Sequence, residues 1–354
     1  MSREPDSKSA LQCRSDAQKI AFGPVVFHAA RLLRDMGILA FLARNRHEGS
    51  ARDDIMRETG LSEYAVRVLL ESGMVSDLVY EKDGRFFMTK TGHFVLNDPM
   101  TRVNMDFVND VCYHGIARLE QALREQRPAG LEVFGDWPTI YEGLPELPDA
   151  AQRSWYAFDH YYSDASFAQC LPIMFESRPA KLLDVGGNTG RWALMCLNHS
   201  PKVHVTIMDL PKQVSRALAN IREQGFGDRA GGHPANLLDH AQAFPAGYDV
   251  IWMSQLLDCF GEEDIVGILT RARAAMSDQA RLYILETFWD RQRYDAATYC
   301  VVNTSLYFTC MANGNSRMYH SADMIRCVEQ AGLIVDAGID DLGIGHTLLV
   351  CRTS

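Results

Sequence analysis

What the chain lacks narrows its class before any motif is read. No run approaches the roughly 18 uninterrupted apolar residues a membrane-crossing helix needs, so no membrane partner is expected. The opening MSREPDSKSALQCRSDAQKI has no apolar core and so does not read as a secretory signal; residues 1–19 are expected to form a disordered tail. The nine cysteines contain no C-x-x-C pair, which argues against a zinc site and a disulfide framework. They are expected to be reduced, as in a cytoplasmic protein. No other cluster has metal-ligand spacing, and no metal is expected. Positive charge is also short: 35 Lys and Arg face 45 Asp and Glu, a net −10. Phosphate backbones call for a basic face, so nucleic acid is not the expected partner. What remains, at 354 residues with 47% hydrophobic and 23% charged side chains, is a globular chain with room for about two domains.

The most informative stretch is KLLDVGGNTG, from Lys181 to Gly190. A short apolar strand carries Asp184 near its end, then Gly186, Gly187, Asn188 and Gly190 make a turn, and Arg191 opens a helix. Glycines there let backbone approach a nucleotide-like ligand where a side chain would collide. The dinucleotide fingerprint fails, because Asn188 and Arg191 stand where its second and third glycines belong. A second strand ends in Asp209, Leu210 and Pro211. An acid at that strand end suits a bidentate bond to two ribose hydroxyls, and it also suits a helix start before proline. The spacing Asp-x-Gly-Gly-x-x-Gly, with Asp209 following, resembles class I S-adenosylmethionine (SAM) methyltransferases.

Before that core, residues 20–99 read as helices followed by a hairpin. Phe27, Ala30, Leu33, Met36 and Leu39 recur at helical spacing, Ser62 suits an N-cap, and Asp83-Gly84 marks a hairpin turn. The pattern is a winged helix. Its candidate recognition helix, around Tyr64 to Glu71, carries only Arg67 as a basic residue, too little for groove binding. The segments DMGILAFLARNRHEG, TGLSEYAVRVLLESG and FFMTKTGHFVL resemble the N-terminal dimerisation domain of plant-type and bacterial small-molecule O-methyltransferases, a resemblance that runs from about Ile20 to Cys351. It implies a homodimer.

Residues 100–178 look helical and aromatic, broken by Pro128, Pro138, Pro145 and Pro148. In the family resembled, such a segment lines the substrate and the methionine end of SAM; Tyr162 and Ser166 fall where cofactor contacts are made, and His160 faces either the pocket or a core partner. Over 179–354 strands and helices alternate, the sign of a doubly wound Rossmann-like α/β sheet. Strands are expected at 181–185, 203–208, 232–236, 248–253, 281–287, 333–339 and 347–351. Helices are expected at 191–198, 212–224, 262–276 and 321–331.

Ligands in such sheets lie beyond the strand carboxyl ends. That gathers Asp184, the glycine turn, Asp209 with Leu210, Asn236 with Leu237, the turn from Met253 and Ser254 to Asp258, and Glu286. Asn236 stands where the family has an adenine-binding aspartate; it equally suits a turn. The family's Leu-His-Asp-Trp run, whose histidine is the general base, is matched by Leu256, Leu257, Asp258, Cys259 and Phe260, which puts leucine in place of the base. Ser316 replaces an orienting glutamate, and Glu286 keeps the other. Candidates for the proton are then Asp258, Glu286, His160 and His320, each with a structural alternative such as helix capping for His320. The resemblance implies SAM as cofactor and methyl transfer to a small phenolic acceptor, free or tethered to a carrier protein, in bacterial secondary metabolism or pigment synthesis. The missing histidine leaves two alternatives open: methylation of a hydroxybenzoyl ring carbon, and a non-catalytic SAM-binding homologue.

Overall fold

The structure, a computed structural model, describes residues 7–354, and the chain divides into two compact units at Val108/Asn109. Among the described residues no helix is long and apolar enough to cross a membrane.

The first unit is helical with one hairpin. Leu33, Ile38, Leu39, Leu42, Ile55, Val66, Leu70 and Phe86 form its buried core, drawn from helices Gly23–Asp35, Ile38–Arg44, Arg52–Thr59 and Glu63–Val75. Ser62 caps the last of these by accepting the Ala65 amide. Strands β1 (Val79–Lys82) and β2 (Arg85–Met88) pair antiparallel, and Asp83 and Gly84 both turn at positive φ, 51° and 72°, as a two-residue type I′ hairpin requires. The expected tail is corrected from Ala10 onward. Ala10–Ala21 is a helix started by a reciprocal capping box between Ser9 and Gln12, although it buries no residue of its own. Residues 1–6 of the expected tail lie outside the described residues.

The second unit is built on a seven-stranded sheet. In chain order its strands are β3 (Lys181–Val185), β4 (His204–Asp209), β5 (Ala230–Pro234), β6 (Val250–Ser254), β7 (Arg281–Glu286), β8 (Leu333–Leu342) and β9 (His346–Thr353). They lie side by side as β5-β4-β3-β6-β7-β9-β8. The five from β5 to β7 run parallel, and β9 runs against both neighbours. Both faces are covered by helices, so the central strands read as nearly continuous apolar runs. Trp192 and Trp252 stack on one face with ring centroids 4.0 Å apart.

Strand order reverses between β3 and β6, on either side of the first strand, which opens a crevice at their carboxyl ends. Register puts Val185 opposite Met208 and Met253, so the residues after those strands share one edge. The breaks expected at Pro128, Pro138, Pro145 and Pro148 all precede the helix Asp149–Phe175, which is continuous and passes through Pro172. The helix Asp295–Tyr307 was absent from the sequence expectation, because its apolar residues show no helical stripe and Thr and Val favour strands.

Candidate active site

The glycine turn is held shut by its own acids. Gly186, at φ 72°, donates its amide to the Met208 carbonyl at 2.8 Å; a Cβ there would sit 2.6 Å from Leu256 Cδ1. Asp209 takes the Asn188 amide on Oδ2 at 2.9 Å and the Leu210 amide on Oδ1 at 2.7 Å. Two lone-pair directions on the carboxylate remain for a ligand. Burial nevertheless pushes its carboxyl above the ordinary range. Leu210 thus enters through its backbone, ahead of Pro211 at the helix start.

Asp184 is the more unusual group. It is 2% exposed; one oxygen accepts the Ala193 amide and Oδ2 has no partner. Burial, reinforced by the nearby Asp209 charge, pushes its carboxyl up to about 8. Gly187 keeps room for that oxygen, since a Cβ would come within 2.9 Å of it. An orphaned buried acid beside a glycine turn is poised for a cationic group.

A second set of side chains gathers beyond the turn. Asp258 and Glu286 are 8% and 1% exposed; burial raises the Asp258 carboxyl to about 6, and burial and then the Asp258 charge push Glu286 well above the ordinary range. Glu286 Oε1 accepts the Leu256 and Leu257 amides at 3.0 and 2.8 Å, while Oε2 is buried without a partner. The Tyr141 hydroxyl has no conventional partner and lies by the Cys259 thiol and Asp258. Tyr307 accepts a bond from Trp155 Nε1 at 2.7 Å and lies by Cys259 and Asp159. Asp159, raised to about 7 by burial and then by Asp258 and Asp164, takes Asn188 Nδ2 at 3.2 Å. Asn188 therefore touches both sets: its amide bonds Asp209, its side chain Asp159.

Several expected residues take other roles. Leu257 is fully buried in the sheet's apolar core, and Asp258 is the residue of this turn facing the acids. Leucine thus stands in the base's place without reaching the polar groups, and the adjoining Asp258 lies beside Glu286. His160 stacks on Tyr156 and is driven down to about 4 by burial, then by Arg191 and Arg216, too weak a base for neutral pH. His320 caps helix Ser321–Gln330, its Nδ1 accepting the Ala322 amide at 3.0 Å, with Trp289 and Asp290 as its other neighbours. The capping alternative is the one the structure shows. Ser166, fully buried, donates its hydroxyl to the Ser163 carbonyl at 2.7 Å and backs against Gly343. Met253 and Leu237 point into the core, so only their backbones border the edge. Asn236 Oδ1 is taken by the Leu238 amide, the turn alternative, with Nδ2 left as a donor. Ser254 ends β6, and Gln255 follows at φ 46°. Tyr162 packs on Phe158 and Tyr161. Ser316 is locked to Asn313.

Sequence reasoning missed two residues. One is Asp159, next to His160 in sequence. His346, fully buried with neither ring nitrogen bonded, enters this edge at the start of β9, one residue before Thr347 pairs with Glu286. Neither carries a spacing signal, because each is brought in from a distant segment.

Known proteins resemble this chain in sequence and fold. Residues 14–86 match the Dimerisation2-like domain family and residues 172–333 the O-methyltransferase domain family. A 3-amino-4-hydroxybenzoate 4-O-methyltransferase of Streptomyces cremeus is 27% identical over 51% of this chain and 47% of its own. The demethylspheroidene O-methyltransferase of Rhodobacter capsulatus is 24% identical over 78% of this chain and 67% of its own. The chain thus spans about half the length of the first relative and about two thirds of the second. Among solved structures, the SAM-dependent methyltransferase SibL in its apo form superposes with a TM-score of 0.71 at 21% identity, covering 96% of this chain and 99% of that one.

Proposed function

The chain belongs to the SAM-dependent O-methyltransferase family with an N-terminal dimerisation-like domain, and from that premise we propose that it methylates the phenolic oxygen of a small aromatic acceptor in bacterial secondary metabolism or pigment synthesis. The observation that carries this reading is Asn188, whose amide bonds Asp209 and whose side chain bonds Asp159. One residue thereby joins a nucleoside-type site to a buried group of aromatic rings and acids.

The residues fit SAM. Asp209 has free acceptor positions for ribose hydroxyls, Asn236 Nδ2 is a donor for the adenine edge, and the orphaned Asp184 Oδ2 suits the positive methionine end. Bound there, SAM supplies a methyl group activated by its sulfonium. The chain's own contribution is to orient and deprotonate the acceptor. Asp258, at about 6, is largely ionised near neutral pH and takes the phenolic proton; Glu286, pushed higher by burial and by Asp258, stays protonated. Two carboxyls so close do not both ionise. Tyr141, Tyr307 and Trp155 supply the apolar walls. Two copies pair through the dimerisation-like domain, which leaves Leu11, Ile20, Phe22 and Val25 exposed on its own.

The test is a calorimetric titration of SAM into wild type and Asp209→Ala. Loss of the ribose contact weakens binding about tenfold to a hundredfold. Wild type that binds no SAM sinks the reading.

A further inference from the structure

The helix Asp149–Phe175 is held in two different ways along its length. Toward its end it is fixed by apolar packing: Phe167, Cys170, Leu171 and Met174 belong to the same core as Trp192 and Trp252. Between Asp149 and Tyr162 only Ala151 and Ser154 are buried, and polar pairs take over. Tyr156, Asp159 and Asp164 fall on one side of the helix, and each meets a different element at the glycine turn. The Tyr156 hydroxyl accepts from Arg216 Nη1 at 2.9 Å, with the guanidinium 4.8 Å from the ring centre. Asp159 Oδ2 accepts from Asn188 Nδ2 at 3.2 Å, and Asp164 pairs with Arg191. Arg216 lies on the helix Pro211–Glu223 that follows Asp209, Asn188 in the turn itself, and Arg191 at the first residue of the next helix. Single bonds hold the rest: Ser154 donates to Asp110 Oδ2 at 2.6 Å and Trp155 Nε1 to the Tyr307 hydroxyl at 2.7 Å.

Polar pairs within reach of water part at little cost, because water replaces each partner, whereas the apolar half cannot leave its core without exposing it. Resting on the methyltransferase reading, we propose that residues 149–162 form a gate over the cofactor site, latched by the three pairs, and that SAM enters and S-adenosylhomocysteine leaves only when the latches part. The latching atoms are not those assigned to SAM: Asn188 engages Asp209 through its backbone amide and Asp159 through its side chain. A gate changes entry and exit together, because both use the same opening. Loss of a ligand contact changes exit alone.

The test is the association and dissociation rate constants of S-adenosylhomocysteine on the full chain, measured by surface plasmon resonance. Tyr156→Phe keeps the ring and loses the hydroxyl bond. Asn188→Gly accepts the φ of 47° and keeps the backbone amide on Asp209. Each is expected to raise both rate constants about threefold to tenfold while Kd stays within about twofold. Asp164→Asn, on the half-exposed pair with Arg191, serves if either does not fold. A change confined to one of the two rate constants, or unchanged rates in the variants, overturns the gate and leaves the methyltransferase reading intact. Failure of wild type to bind S-adenosylhomocysteine overturns both.

Discussion

Replacing Asp184 with asparagine isolates the group that departs furthest from ordinary behaviour. Its carboxyl sits at about 8 in the folded chain against an ordinary 3.8. For a folded value raised above the unfolded one, the associated stability is complete below the unfolded value. It drains away as pH climbs toward the folded one, because the unfolded chain ionises first. Between about pH 4 and about pH 8 the wild type therefore loses about 1.4 kcal/mol per pH unit through this residue alone. Asparagine keeps an oxygen for the Ala193 amide and titrates in neither state. Any fixed change from its unpartnered amide shifts the whole curve without tilting it. Urea unfolding of both proteins at about pH 5, 6 and 7 then gives a difference that grows by roughly 2–3 kcal/mol in favour of asparagine. Parallel curves would mean that Asp184 is hydrated or paired in solution, and the orphaned-acid argument would fall with it.

Three further outcomes follow from the same geometry. Asp258→Asn lowers kcat by about 10²–10⁴-fold and removes the acid limb near the value of about 6 from the pH–rate profile, whereas Asp258→His keeps a base and retains turnover within about tenfold of wild type. Leu257→His does the opposite of restoring a base: it puts an unpaired imidazole into the core and costs about 3 kcal/mol in denaturant unfolding without raising kcat. His346 is held down at about 4 from an ordinary 6.5, so the unfolded chain takes up the proton first and stability falls as pH drops from about 6.5 toward 4. His346→Leu abolishes that slope of about 1.4 kcal/mol per unit, measured by thermal unfolding across the same range.

The sheet was legible because its signals are local. Lys181–Val185 is a run buried on both faces, Gly186 and Gly190 punctuate it, and Asp209 closes the next strand; each follows from neighbours within a few residues. The strands of the second unit fall within a few residues of their expected ends, and the edge that gathers Asp184, Asp209 and Glu286 follows from parallel register alone. What failed depends on side-chain direction or distant partners. That Leu257 cannot act as a base is legible, but in a single 3₁₀ turn, Leu257–Cys259, successive side chains are about 120° apart, and only packing decides which of them meets the acids. Ser166 and His320 have plausible ligand chemistry, yet the helix that carries each claims it first, one for an internal bond and one for a cap. Asp159 and Tyr141 acquire meaning only when three remote segments meet.

The acids also explain why this edge is built at the expense of stability. Asp184, Asp209, Asp159, Asp258 and Glu286 all have carboxyls raised mainly by burial, and each therefore weakens the free chain as pH rises above the ordinary carboxylate range. A core of the same volume lined with leucine would be more stable. Burial of Asp184 with its Oδ2 unpartnered has a use if the missing charge arrives with a ligand, the positive end of SAM. Binding then offsets what folding left unfavourable, so the free energy of completing the cluster adds to affinity for cationic ligands. The same logic explains product release, because loss of the methyl group turns a sulfonium into a neutral thioether and withdraws the charge that the acids had matched.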